Sequence, residues 1–360
     1  MAARNEDTVR RAFAVQAGHC ERMGSPFTAT LCRLLGERLD EGTAIGRRVL
    51  GWAGAPEPDA LALRLVGGLH ALVRRGRLPA LAAFYPPGAF DPESLWAAVS
   101  DALATAADLD PWLDGPPQTN EVARSGVLMP GLMTVASLTG GRPIVLWELG
   151  ASGGLNLRLD RYAYDLGGLT AGEAGSPVRL APAWTGSPPP DAPVRLAARR
   201  GVDLNPLDAA APADRERLAA YVWPDQRERL ARVEAALALA AADPPPLDRA
   251  AAGDWLAARL AGPPTPGTVR VVQHSIALQY FPRPEQDRIA ALLTDAGAAA
   301  TPDTPLARLA YEVDPAQPGP PVLDLTLWPG GETRRIATAD AHGRSVSWRG
   351  WSADDRPAPP

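Results

Sequence analysis

The chain has 360 residues, of which 46% are apolar and 21% charged, with a net charge of −5. That length suggests two structural units, and that charge argues against a general nucleic-acid binder, which needs a basic face for phosphates. No lysine occurs, so all 36 residues counted as Lys or Arg are arginines; Schiff-base chemistry, pyridoxal-phosphate chemistry and Walker-type phosphate loops, which need a lysine amine, are excluded.

In chain order, apolar residues recur at helical spacing over Val9–Met23 and Pro26–Leu39, with Gly24-Ser25 breaking the two. Cys20 and Cys32 fall in this stretch and have neither metal-site nor disulfide spacing. His19, His70, His274 and His342 occur singly, so no metal is expected. Helices follow over Ala60–Arg75, with Asp59 as N-cap and His70 on the core face, over Pro92–Ala107 behind the cap Asp91, and over Val122–Leu138. No strand is expected before residue 143. The tryptophans Trp52, Trp96 and Trp112 suit packing.

From Pro143 the pattern changes. Ile144–Leu149 is a short apolar run ending at Gly150, the mark of a buried parallel strand. Alternation in Tyr162–Leu166 and Val178–Trp184 suggests an exposed hairpin. A strand closes at Val202-Asp203, and a long helix is expected over Asp214–Ala242. Val269–His274 is a further strand, Pro284–Ala296 a helix, and Leu306–Val313 and Val322–Leu327 are strands. Glu332–Ala337 and Arg344–Trp348 are the last antiparallel candidates, and Pro188–Pro190, Pro244–Pro246 and Pro263-Pro264 mark loops. The alternation predicts a doubly wound α/β sheet. The expected division is a helical domain over 1–138, an α/β domain over 139–352 with a hairpin-like insertion over 160–195, and a disordered tail over 353–360. Arg195, Arg199 and Arg200 suit either a local basic groove or a solvated surface.

The sharpest local signal is Glu148-Leu-Gly-Ala-Ser-Gly-Gly-Leu-Asn156. A glycine turn leaving a parallel strand lets backbone approach a ligand. The dinucleotide pattern G-x-G-x-x-G fails, because Ser152 and Leu155 stand at its third and sixth positions. The nucleophile-elbow pattern G-x-S-x-G is met by Gly150-Ala-Ser152-Gly-Gly154, with Asp254 and then His274 or His342 following in triad order. A plain turn holding no ligand is a third possibility.

The segment also resembles the nucleotide loop of class I S-adenosylmethionine-dependent methyltransferases, with Glu148, Gly150 and Gly154 at the motif positions and Ser152 replacing the middle glycine. That resemblance implies a Rossmann-like, mostly parallel sheet with a terminal antiparallel hairpin. It also implies S-adenosylmethionine as cofactor, held at Glu148, Gly150, Ser152, Gly154 and Asn156. Asp203, in Gly201-Val-Asp-Leu-Asn-Pro206, would take the ribose hydroxyls. Asp254 and Trp255, in Ala252-Gly-Asp-Trp255, would take the adenine. Gln273 and His274 would end the fourth strand beside the transferred methyl, with His274 as the base. The gap from the loop to Asp203 is more than twice the usual length, so the intervening segment would be an insertion.

Across nearly the whole chain, the runs Ser25-Pro26, Gln118–Ser125, Glu148–Asn156, Asp160–Tyr162, Gly201–Leu207, Trp223-Pro224 and Gln273–Tyr280 are similar to an uncharacterised bacterial family, domain of unknown function 2332. The polar start of the helix at Gln118–Ser125 serves either capping, by Thr119 or Asn120 with Glu121 at the positive end, or substrate binding by Asn120, Glu121 and Arg124, the arginine fork facing a carboxylate. Tyr280 would line the substrate pocket. The expected protein is a methyltransferase for a small-molecule acceptor. A serine hydrolase with nucleophile Ser152 and a non-catalytic nucleotide-binding or scaffold protein are the alternatives. The start of the chain lacks an apolar signal core, and no run is long enough to span a bilayer. A cytoplasmic protein with no nucleic-acid or membrane partner is therefore expected; oligomeric state is not indicated.

Overall fold

The computed structural model describes residues 2–316 and 319–351. The chain forms two compact units, residues 1–119 with 212–234 and residues 120–211 with 235–360. The division therefore falls near residue 119, not 138, and the first unit recruits a segment from far along the chain. The tail expected over 353–360 lies outside the described residues.

The first unit is helical, with α1 (Ala2–Arg22), α2 (Pro26–Arg38), α3 (Ala44–Leu50), α4 (Leu61–Arg74), α5 (Pro79–Ala82) and α6 (Pro92–Thr105). The helix α7 (Ser125–Leu138) belongs to the second unit. The long helix expected over Asp214–Ala242 is two helices, α8 (Pro212–Ala220) and α9 (Arg227–Ala242), parted around Trp223-Pro224. Proline lacks the N–H that a helix interior requires and disfavours helix in the residue before it. Phe13, Phe27, Leu31, Leu35, Leu65, Leu69 and Leu95 meet in one apolar core. Asp91 caps α6 through the N–H groups of Glu93 and Ser94. Asp59 does not cap α4; it accepts from the Trp52 indole at 2.7 Å, and Ala60 takes the cap position. Cys20 and Cys32 are free and buried, and His70 is buried against Ala220 O at 3.0 Å.

The second unit carries β1 (Ile144–Leu149), β2 (Ala163–Leu166), β3 (Leu169–Gly172), β4 (Arg179–Leu180), β5 (Ala183–Thr185), β6 (Leu196–Asp203), β7 (Leu247–Arg249), β8 (Val269–Ser275), β9 (Leu306–Glu312), β10 (Val322–Trp328), β11 (Glu332–Ala339) and β12 (Ser345–Trp348), with α10 (Ala252–Leu260) before β8 and α11 (Arg283–Ala298) after it. Among the described residues, nine strands form one mixed, mostly parallel sheet in the order β5-β12-β11-β10-β9-β8-β1-β6-β7. From β7 to β9 every pairing is parallel. In chain order these five strands run third, second, first, fourth, fifth, so the winding reverses between β1 and β8, where doubly wound sheets open a crevice at the carboxyl ends of their strands. β8 is buried along its whole length, and Trp147, Val202, Leu256, Val272, Ile289 and Leu293 share one core. That arrangement explains why the central strands read as apolar runs without alternation.

Two expectations are corrected at the sheet's margins. The terminal hairpin is part of a longer antiparallel meander from β9 through β12. The runs Tyr162–Leu166 and Val178–Trp184 are not partners in one exposed hairpin: β2 pairs antiparallel with β3 and parallel with β4 in a small separate sheet, β5 joins the main sheet beside β12, and Tyr162, Tyr164, Leu166 and Val178 are buried. The possible basic groove is also absent as such, since Arg199 pairs with Asp160, Arg200 with Asp248, and Arg195 bonds Gly141 O. Among the described residues, no helix is long and apolar enough to cross a membrane.

Candidate functional site

Strands β1 and β8 each end in a strained turn. Ser152 has φ 51 and Ile276 has φ 47, in the left-handed region that a β-branched residue almost never enters. Such backbone costs about 1–3 kcal/mol per residue and persists only where its surroundings impose it, most often at functional sites. Around Ile276 the imposing group is Glu312, at the end of β9. Its carboxylate accepts from Ala277 N at 3.1 Å, from Leu278 N at 3.3 Å and from His274 Nδ1 at 2.7 Å. Ser152 is held by Asp203, whose Oδ2 accepts from Ser152 N at 2.9 Å while its Oδ1 accepts from Asn205 N at 2.8 Å. The glycine turn after β1 and the acid ending β6 are therefore in direct contact.

Between the two turns lies a group of buried polar atoms without hydrogen-bond partners: Glu148 Oε2, Ser152 Oγ and both amide atoms of Gln273. Glu148 and Gln273 are register neighbours on β1 and β8. Burial lifts the Glu148 carboxyl to about 8; the nearby Gln273 amide and Arg124 charge offset part of that rise, and Asp203 adds to it. Gln273 is thus close, but it makes no hydrogen bond of good geometry. An unmet buried polar group costs about 1–3 kcal/mol, so three such residues at one strand end mark a place built for something other than stability.

The glycines have a different role from the one the loop motif suggests. Gly150 and Gly154 both have positive φ, and a Cβ would meet Ala277 Cβ at 2.7 Å in the first case and Pro245 Cγ at 2.7 Å in the second. The chain's own side chains fill the space that glycine leaves.

The polar segment before α7 straps this end of the sheet. Asn120 Oδ1 accepts from Leu155 N at 2.8 Å, and Ser125 Oγ bonds Asn156 Oδ1 at 2.7 Å. Glu121 is buried, caps Ala123 N at 3.1 Å and faces His342 Nδ1 at 3.4 Å. Arg124 donates to Ser275 O at 2.8 Å and to Ala341 O at 3.1 Å. Asn120, Glu121, Arg124, Glu148, Gly150, Ser152, Asn156, Asp203 and Gln273 are thus linked through neighbouring strand ends and the strap.

Other expected site residues are placed differently. His274 is fully buried, with Nδ1 on Glu312 and Nε2 accepting from Arg308 Nε at 3.1 Å. These partners imply the neutral Nδ1–H tautomer. Burial lowers its pKa, Glu312 opposing and Arg308 reinforcing the shift. With no free lone pair it cannot act as the base, so its role is to anchor Glu312. Asp254 is exposed on α10 and pairs with Arg288 at 2.6 Å. Trp255 is packed edge-on to Trp147 and donates to Asp248 at 2.6 Å. Neither has the surroundings of an adenine contact. Tyr280 is 77% exposed and forms no wall of a closed pocket.

Sequence reasoning missed Glu312, Ile276 and Asp248. Glu312 carried a usable signal, an acid ending a strand, the pattern that singled out Glu148 and Asp203. Ile276 carried none, because strain in a β-branched residue is imposed by tertiary contacts. Asp248, whose carboxyl the neighbouring Arg200, Trp255 and Arg259 hold below its ordinary range against the effect of burial, sits in a strand too short for periodicity to reveal. Among the described residues, no group of three or more His, Cys, Asp or Glu could hold a metal ion.

No curated protein and no solved structure matches the chain. The family model described as an uncharacterised protein conserved in bacteria, DUF2332, matches residues 10–348, which takes in the glycine turn, both strained turns and the strap. The chain belongs to that bacterial family.

Proposed function

We propose that the protein is an S-adenosylmethionine-dependent methyltransferase for a small-molecule acceptor, built on a class I type of sheet. The observation that carries this reading is the bond from Ser152 N to Asp203, which sets the turn after β1 against the acid ending β6 beside the switch point. One adenosyl ligand would need to reach both. The fit is partial. Asp203 suits ribose hydroxyls, and Glu148, Ser152 and Gln273 offer unmet polar atoms for the amino-acid end. Asp254 and Trp255 do not suit the adenine, which would need other partners.

When bound, the cofactor would supply an activated methyl group on a sulfonium. The chain's contribution would be positional: Asp203 orients the sugar, the strap Asn120–Ser125 closes over the strand ends, and burial excludes water. Glu148, neutral at pH 7, would become an anion opposite a cationic ligand group. No residue is assigned as a base.

Calorimetric titration with S-adenosylmethionine and S-adenosylhomocysteine tests the reading. Binding should occur below millimolar concentration, and Asp203→Asn should weaken it by about tenfold or more, as expected for loss of a charged hydrogen-bond acceptor. Absence of binding at millimolar ligand rejects the proposal.

A serine hydrolase is the second reading, favoured by the positive φ and buried, unpartnered hydroxyl of Ser152 inside the elbow pattern. It lacks a free base at His274. Fluorophosphonate labelling of Ser152 would favour it over the first reading.

A further inference from the structure

Arg124, like Arg195 and Arg270, makes no ion pair among the described residues, and unlike them it sits at the carboxyl end of β8. Arg199, Arg200 and Arg335, also partly buried, each face an aspartate. Arg124 instead donates to two carbonyls, Ser275 O and Ala341 O. Carbonyls fix the direction of the guanidinium without forming an ion pair with it. The nearby acids are engaged elsewhere: Glu121 with Ala123 N and His342, and Glu312 with His274, Ala277 and Leu278. Burial disfavours the charged form of Arg124, with Glu121, Tyr311, Glu312 and Tyr280 offsetting part of the effect.

A partly desolvated cation whose nearby acids are committed to other donors is costly to keep unless a further anion reaches it. Arg124 is largely buried, with part of its surface open to solvent. It lies against the end of β8, one residue before the strained turn at Ile276. A planar fork held at its base by two carbonyls presents its remaining N–H donors in the geometry that a carboxylate fills.

We propose that Arg124 is the receptor for a carboxylate of the bound ligand. Two sources share that chemistry, the amino-acid end of an adenosyl donor and an acidic acceptor. Only the first rests on the methyltransferase reading.

The experiment titrates the full chain, as wild type, Arg124→Gln and Arg124→Lys, with S-adenosylhomocysteine, with 5′-methylthioadenosine, which keeps the nucleoside and lacks the amino acid, and with succinate. Loss of the fork should weaken a carboxylate probe by about tenfold or more in Arg124→Gln and less in Arg124→Lys, which retains charge without the fork. Binding of 5′-methylthioadenosine should stay within about twofold, as for a ligand without the recognised group. Loss confined to S-adenosylhomocysteine identifies the donor as the source; loss of succinate identifies the acceptor. If succinate binding is lost in Arg124→Gln while neither nucleoside binds the wild type, the methyltransferase reading fails and the Arg124 assignment stands. The assignment is overturned if the carboxylate probes bind Arg124→Gln as they bind the wild type. It is equally overturned if 5′-methylthioadenosine weakens as much as they do, or if no carboxylate probe binds the wild type.

Discussion

In the helical unit the Asp225 carboxylate accepts from Ser25 Oγ, Thr28 Oγ1 and the backbone N–H groups of Phe27 and Thr28, all within 3.1 Å. At the carboxyl end of the parallel strands, Glu148, Ser152 and Gln273 are more deeply buried than Asp225 and keep atoms unmet. The first arrangement completes the open start of α2 with an acid almost two hundred residues away in sequence, and it serves the fold. The second is paired with backbone strain at Ser152 and Ile276, and it works against the fold. The helical unit also buries unpartnered hydroxyls, on Tyr85 and Tyr221, but these are single neutral groups on large apolar rings. Clustering with strain, not the presence of an unmet atom, separates a site from a packing defect.

Four substitutions break or sharpen that comparison. The largest effect is expected at Glu148. Its carboxyl moves from the ordinary 4.5 to about 8, so between those values the folded chain holds a proton that the unfolded chain has released. Stability should therefore fall as pH rises through that window and level off above it, by up to about 5 kcal/mol at about 1.4 kcal/mol per unit. Glu148→Gln should lose that slope in urea unfolding followed from pH 4.5 to 9. Parallel curves for the two proteins would mean that Glu148 is not isolated.

Asp225→Ala comes next. Removing an acceptor of four bonds should destabilise the helical unit by about 3 kcal/mol, read as an earlier unfolding transition with nucleoside binding by the sheet unit preserved. Ser152→Gly relieves a left-handed backbone and should raise stability by about 1 kcal/mol while weakening ligand binding; a gain in both would place Ser152 outside the site. Asp254→Ala should change stability by no more than about 0.5 kcal/mol, as for an exposed ion pair, and leave nucleoside binding unaltered. Loss of binding in that variant would restore Asp254 to the adenine role.

Much of the architecture was legible before any coordinates. The apolar runs beginning at Ile144 and Val269, the helix beginning at Pro92 with its Asp91 cap, and the core-facing position of His70 all express local periodicity or a short-range cap. Glu148 and Asp203 were visible through the resemblance to the methyltransferase loop and strand ends, and the strap before α7 as a polar start to an apolar helix. The partnering of β5 with β12, the return of residues 212–234 to the helical unit, and the reversal of winding between β1 and β8 were not.

Sequence by itself determined which segments are buried, because hydrophobic periodicity is a property of neighbouring residues. Tertiary structure alone decided which buried polar groups find partners. It committed both nitrogens of His274 to Glu312 and Arg308, drew Asp225 to α2, and left Glu148 and Gln273 unmet although they are register neighbours. The physical reason is range. Burial follows from composition along the chain, whereas a hydrogen bond needs a donor and an acceptor within about 3 Å and in line, a condition that only the assembled strands and loops can meet or deny.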